Sequence, residues 1–148
     1  MKKVNVVCVG KIKEKFFVDG IEEYKKRVSR FAELNFIEIK DFPPPDEIKR
    51  ECDLILPKLH GYVILLDIGG KTLSSEELAA QIEKAYLAQP VVTFVIGGSE
   101  GVDERVRSRA DLRLSFGRVT FPHQLMRLML SEQIYRAFTI TEGLPYHK

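Results

Sequence analysis

Apolar positions along the chain fall into two patterns: short β-branched runs, and longer stretches in which apolar residues recur every three to four positions. The first predicts strands and the second amphipathic helices. Val4, Val6, Val7, Cys8 and Val9 form a run closed by Gly10, the mark of a strand buried on both faces. From about Glu14 to Phe31, the residues Phe17, Ile21, Tyr24, Val28 and Phe31 share one helix face, with lysines and arginines opposite and Gly20 as a local weak point. Leu34 to Ile39 reads as a second strand, after which Phe42-Pro43-Pro44-Pro45 ends regular structure. Asp46 is placed to cap a helix through Ile48, Cys52, Ile55 and Leu56, limited by Pro57.

Tyr62 to Ile68 is the clearest central strand, ended by Gly69-Gly70. Ser74 and Glu77 have capping-box spacing ahead of a helix face made by Leu78, Ala79, Ile82, Tyr86 and Leu87, which Pro90 stops. Val91 to Ile96 is the next strand, followed by the turn Gly97-Gly98-Ser99-Glu100-Gly101, a short helix over Val102 to Ala110 and a short strand over Leu112 to Phe116. A last long helix starts near Pro122 or His123 and turns Leu125, Leu128, Met129, Ile134, Tyr135 and Phe138 inward. The alternation predicts a single α/β domain over 1–148, with a mainly parallel sheet and helices on both faces. Ligands of such sheets bind beyond the carboxyl ends of strands, where both glycine pairs are expected.

Composition narrows the class without choosing a function. With 45% hydrophobic and 30% charged residues, the chain can fill a core and is too apolar for disorder. The net charge of +2 does not by itself identify a nucleic-acid partner, so the placement of the basic residues matters more. Lys11, Lys13 and Lys15 alternate, Lys25, Lys26, Arg27 and Arg30 cluster, and Arg105, Arg107, Arg109 and Arg113 follow the glycine turn, with acids interleaved. A solvated mixed-charge surface and a phosphate-facing patch are equally compatible with that pattern. The two cysteines, Cys8 and Cys52, have neither metal nor redox spacing, which fits a reducing cytosol and a site without metal. The amino-terminal apolar run is too short for a signal peptide and no run reaches membrane-spanning length, so a soluble cytoplasmic protein is expected.

The glycines permit close backbone approach to a ligand, although a lone glycine pair is most simply a tight turn. Gly97-Gly98-Ser99-Glu100-Gly101 lacks the G-x-G-x-x-G spacing, and Gly70-Lys71-Thr72 lacks a phosphate loop's earlier glycine, because Leu65 stands there.

Ile134 to Ile140 and Pro145-Tyr146-His147-Lys148 are informative when read with Leu65 to Lys71, Ile96 to Gly101, Val9-Gly10-Lys11 and Glu23-Tyr24-Lys25-Lys26-Arg27. Together they resemble the RlmH family of bacterial methyltransferases, over essentially the whole chain. The resemblance implies a SPOUT α/β-knot fold whose carboxyl-terminal trefoil knot holds S-adenosylmethionine in a bent conformation. Knotted chains are rare exceptions, so pattern reading alone does not lead there. It further implies a homodimer that methylates N3 of pseudouridine 1915, in helix 69 of 23S ribosomal RNA, within the assembled ribosome. Another RNA nucleoside as target, or a noncatalytic ribosome-binding factor on the same fold, are the alternatives.

Carried onto this sequence, the family's cofactor positions fall on Leu66, Gly97 and the loop Phe116-Gly117-Arg118-Val119-Thr120-Phe121. Tyr146 and His147, on the tail, are the catalytic candidates, His147 as proton acceptor or RNA contact. RNA recognition by so small a protein should rest on basic surface, and Lys11, Arg27, Arg105, Arg107, Arg109 and Arg113 are the expected phosphate contacts. His123 is expected to cap or orient the last helix. Arg127 and Arg136 are open between acid partners at a dimer interface, the cofactor carboxylate and RNA phosphate.

Overall fold

A computed structural model describes residues 1–148. The apolar runs become five strands, β1 (Lys3–Val9), β2 (Glu33–Ile39), β3 (Tyr62–Thr72), β4 (Val91–Ile96) and β5 (Leu112–Ser115). The periodic stretches become the helices α1 (Lys15–Val28), α2 (Glu47–Ile55), α3 (Ser75–Ala88), α4 (Glu104–Arg109) and α5 (His123–Thr141), with a 3₁₀ turn at Leu56–Lys58. All strand pairings are parallel and the order is β2-β1-β4-β3-β5. To reach β5 the chain therefore passes from β4 across β3.

Alternation along each strand divides the interior in two. Val4, Val6, Cys8, Ile64, Phe94 and Ile96 face a core closed by α1, α3 and α5. Val7, Val9, Val63, Leu65 and Val95 face a second core under α2 and α4, where Cys52, Ile55 and Val106 are buried. This is the expected sheet with helices on both faces. The capping box forms as spaced: Glu77 N–H donates to Ser74 Oγ at 3.0 Å and Ser74 N–H to Glu77 Oε1 at 2.8 Å. No helix is long and apolar enough to cross a membrane.

Three expectations are corrected. Gly69-Gly70 does not end β3; its register against β5 shifts, with both Leu66 and Lys71 opposite Leu114, and the strand resumes to Thr72. A Cβ at Gly70 would lie 2.5 Å from the Arg113 carbonyl oxygen, so the strands approach there only because the residue is glycine. Asp46 precedes α2 in a left-handed conformation, with φ of 66°, and its side chain makes no cap. On α5 the buried face is Arg127, Leu130, Ser131, Ile134, Ala137, Phe138 and Thr139, whereas Leu125, Leu128, Met129 and Tyr135 are only half-buried. The reason is the contact with α1 and α3 on either flank, which half-covers the sides of the helix as well. Gly20, the apparent weak point of α1, lies under Leu128: a Cβ there would sit 2.9 Å from Leu128 Cδ1.

Candidate functional site

Three segments meet at the carboxyl end of the sheet: Leu66 to Ile68, where the register of β3 shifts, the turn after β4, and the loop after β5. Their backbone is shaped by local constraints. Gly101 N–H donates to the Gly98 carbonyl at 2.9 Å, closing the first turn, and Gly101 takes φ of +84°. Gly97 admits no side chain, because a Cβ would lie 2.8 Å from Val102 Cγ1 and 3.1 Å from the Gly101 backbone. In the second loop the buried Ser115 hydroxyl accepts from Gly117 N–H at 3.1 Å and lies 3.2 Å from the Gly117 carbonyl, while Gly117 takes φ of +110°.

Between them lies a cavity of about 390 Å³, within the range of small-ligand sites. Its walls are mainly apolar, with Leu66, Ile96, Val102, Phe116, Phe121 and Met126 prominent, and its polar side chains are Asp67, Ser99, Glu100, Arg107, Thr120 and His123, together with the loop backbone. Of the expected cofactor positions, Leu66, Gly97, Phe116, Gly117, Val119, Thr120 and Phe121 meet here; Arg118 is exposed and does not line the cavity.

Tyr146 and His147 do not line it either. Tyr146 Oη donates to Glu132 Oε2 at 2.9 Å, and its ring packs edge-on to Tyr135 at 4.7 Å. Burial and then the Glu132 bond raise the pKa of the Tyr146 hydroxyl, which keeps it a donor. Arg136 pairs with Glu132 at 2.8 Å and lies 3.0 Å from His147 Nδ1, while His147 Nε2 lies 3.2 Å from Glu76 Oε1. Because a guanidinium can only donate, Nδ1 accepts and Nε2–H donates, which fixes the tautomer. Glu132 also borders a second cavity of about 490 Å³, which shares Leu114, Phe116 and Gly117 with the first.

Of the expected phosphate contacts, Lys11 is exposed without an acidic partner. Arg27 pairs with Glu23, Arg105 with Asp53 and Asp103, Arg107 with Glu104, Arg109 with Asp111 and Arg113 with Asp67. Arg107 also lines the cavity.

Two site residues escaped the sequence reading in these roles. His123 opens α5 but makes no cap; its side chain lines the cavity. Burial, then the Arg127 charge, lowers its pKa, with Asp41 pulling weakly the other way. Arg127 is buried, 2.7 Å from Glu38 and donating to the carbonyls of Val9 and Gly10. A signal for it existed, since Arg127 shares a helix face with Leu130 and Ile134.

A family model described as "Predicted SPOUT methyltransferase" matches residues 2–147. Over 158 aligned positions the chain is 50% identical to ribosomal RNA large subunit methyltransferase H of Streptococcus pneumoniae strain CGSP14, covering 99% of each. The chain belongs to the RlmH family of SPOUT methyltransferases. Relatives in Streptococcus pneumoniae strains JJA and P1031 match equally, at 50% identity and 99% coverage. Among solved structures, the tRNA (m1G37) methyltransferase of Aquifex aeolicus aligns with a TM-score of 0.53 at 17% identity, covering 98% of this chain and 72% of that one. A probable methylase family protein of Haemophilus influenzae Rd KW20 gives 0.53 at 10% identity, covering 98% and 70%. These two likenesses show the SPOUT fold alone. In this SPOUT chain the cavity faces the loops after β4 and β5, the segments that the family resemblance singled out.

Proposed function

We propose that this chain transfers the methyl group of S-adenosylmethionine to N3 of pseudouridine 1915, in helix 69 of 23S ribosomal RNA. It acts on the assembled ribosome, in the cytoplasm, as a homodimer with its carboxyl-terminal segment tied in a trefoil knot. The reading rests on the meeting of Leu66, Gly97 and the 116–121 loop around one cavity, in a chain half identical to a ribosomal RNA large subunit methyltransferase. The passage of the chain across β3, followed by the return of α5 onto α1 and α3, supports the knotted path.

The residues present fit the donor. Gly97 and the loop that carries Gly117 bring backbone to the cavity for hydrogen bonding to a purine edge, and Leu66, Phe116 and Phe121 supply apolar cover for its faces. Asp67 and Glu100 bring negative charge to the same cavity, suited to a sulfonium or ammonium, and Arg107 is a partner for a carboxylate. S-adenosylmethionine, when bound, supplies an electrophilic methyl carbon on sulfur.

The protein's tasks are then alignment and proton removal. Apolar walls exclude water from the methyl group and hold it for in-line attack. Tyr146 and His147 act on the acceptor side, Tyr146 as a hydrogen-bond donor and His147 through its ring nitrogens, once the tail releases Glu132 and Glu76. Lys11 leads the phosphate contacts, and Arg27, Arg105, Arg107, Arg109 and Arg113 contribute as RNA phosphate displaces their acidic partners.

Transfer of labelled methyl to intact ribosomes, with and without the target pseudouridine, tests the proposal when followed by nucleoside mass analysis. Label at N3 that is lost when uridine replaces the pseudouridine is expected. Absence of transfer together with absence of donor binding would overturn it.

A further inference from the structure

We propose that His123 accepts the N3 proton of the target nucleoside, an inference that rests on the methyl-transfer reading above. N3 of the acceptor is an imide nitrogen, so forming its bond to the methyl carbon requires that its N–H bond break. Something in the cavity must receive that proton. Among the polar side chains that line it, Asp67 is engaged by Gly69 N–H at 3.0 Å and Arg113 at 3.3 Å, and Arg107 has no lone pair to offer. Glu100 lines the cavity from an exposed position where water competes for its carboxylate, and the hydroxyls of Ser99 and Thr120 are too weakly basic to hold a proton.

His123 differs from all of these. It is the first residue of α5, rigidly attached to the end of the 116–121 loop, and its half-buried ring borders the cavity without a hydrogen bond from the protein to either nitrogen. His147 lies outside this cavity with its ring nitrogens on Arg136 and Glu76, so it reaches the acceptor only after the tail moves, whereas His123 already stands at the wall. The groups acting on His123 from its surroundings are Arg127, one turn along α5, and Asp41, on the segment after β2. Burial and the Arg127 charge keep its imidazole neutral below the ordinary histidine range, so a lone pair is available at neutral pH. Arg127, a buried cation anchored by Glu38, adds to burial in disfavouring the charged imidazole.

The step balances. The N3–H electron pair forms the new bond to the methyl carbon as the carbon–sulfur bond breaks. Sulfur keeps that pair and becomes a neutral thioether, and the proton passes to a His123 ring nitrogen. One positive charge leaves the sulfonium and one appears on the imidazolium, so the cavity's net charge is unchanged.

Two measurements test this. In the wild-type protein with labelled histidine, nuclear magnetic resonance should find the His123 imidazole titrating below the ordinary histidine range. Its signals should also shift when S-adenosylhomocysteine is added. An imidazole that ignores the ligand overturns the proposal without reference to activity.

Second, His123→Gln should bind S-adenosylmethionine within about threefold of wild type by calorimetry, while single-turnover methyl transfer falls about 100-fold or more. Transfer by the variant should rise steadily with pH as hydroxide takes over, whereas the wild-type rate levels off once His123 is neutral. Undiminished transfer by His123→Gln, or a loss explained by donor binding alone, would overturn the role of His123. Failure of the wild type itself to methylate ribosomes would instead overturn the function from which the inference starts.

Discussion

Arg127 Nη1 lies 2.7 Å from Glu38 Oε2, joining α5 to the end of β2 across the whole of the intervening fold. Nη2 donates to the carbonyls of Val9 and Gly10, so one buried side chain ties the mouth of the sheet to the helix that begins at His123. Arg127→Leu leaves Glu38 without its partner and two carbonyls without a donor. Because Glu38 is 39% exposed and water can take over its carboxylate, the cost falls mainly on the two carbonyls; a loss of about 1–3 kcal/mol is expected, and urea unfolding measures it.

Gly97→Ala should damage the site more than the fold. Its Cβ would meet Val102 Cγ1 and the Gly101 backbone, so the turn must open at the cavity wall. Overpacking of this kind costs about 1–3 kcal/mol. The expected result is a modest drop in melting temperature with donor binding weakened at least tenfold by calorimetry; unchanged binding would show that the turn is not part of the cofactor wall.

Glu51 is buried under the glycine turn, with Oε1 against Gly98, and its pKa is raised chiefly by that burial. The folded protein therefore keeps a proton that the unfolded chain releases, over the window from the ordinary carboxyl value upward. Stability falls as pH rises through that window. Glu51→Gln keeps the shape and removes the charge, so it should be more stable than wild type at neutral pH, with the difference shrinking in acid. Unfolding curves across that range decide it.

Basic residues should separate by their partners. Lys11→Ala is expected to lower the slope of log affinity for ribosomal RNA against log salt by about one. Arg105→Ala removes the pair with Asp53 that joins α4 to α2, together with the local pair with Asp103 at the start of α4, and should lower the melting temperature while changing the salt slope less. Equal slope changes would show that RNA phosphate fully displaces the two acids.

The order of strands and helices was legible because hydrophobic period is a local property, set by which face of each element must leave water. The β-branched runs, the Ser74–Glu77 box and the stops at Pro57 and Pro90 needed nothing from the rest of the chain. The positions of Leu66, Gly97 and the 116–121 loop were legible only through family resemblance, since glycine turns by themselves serve many ends. Tertiary structure decided what depends on distant neighbours. Gly70 continues β3 because Arg113 approaches it from β5, Gly20 is small because Leu128 lies on it, and Arg127 is buried because Glu38 and two carbonyls receive it. His123 becomes part of the cavity for the same reason: its surroundings are assembled from β2, β4, β5 and α5, segments far apart in sequence. Periodicity reports a residue's own element, whereas the environment that sets its chemistry is made by the others.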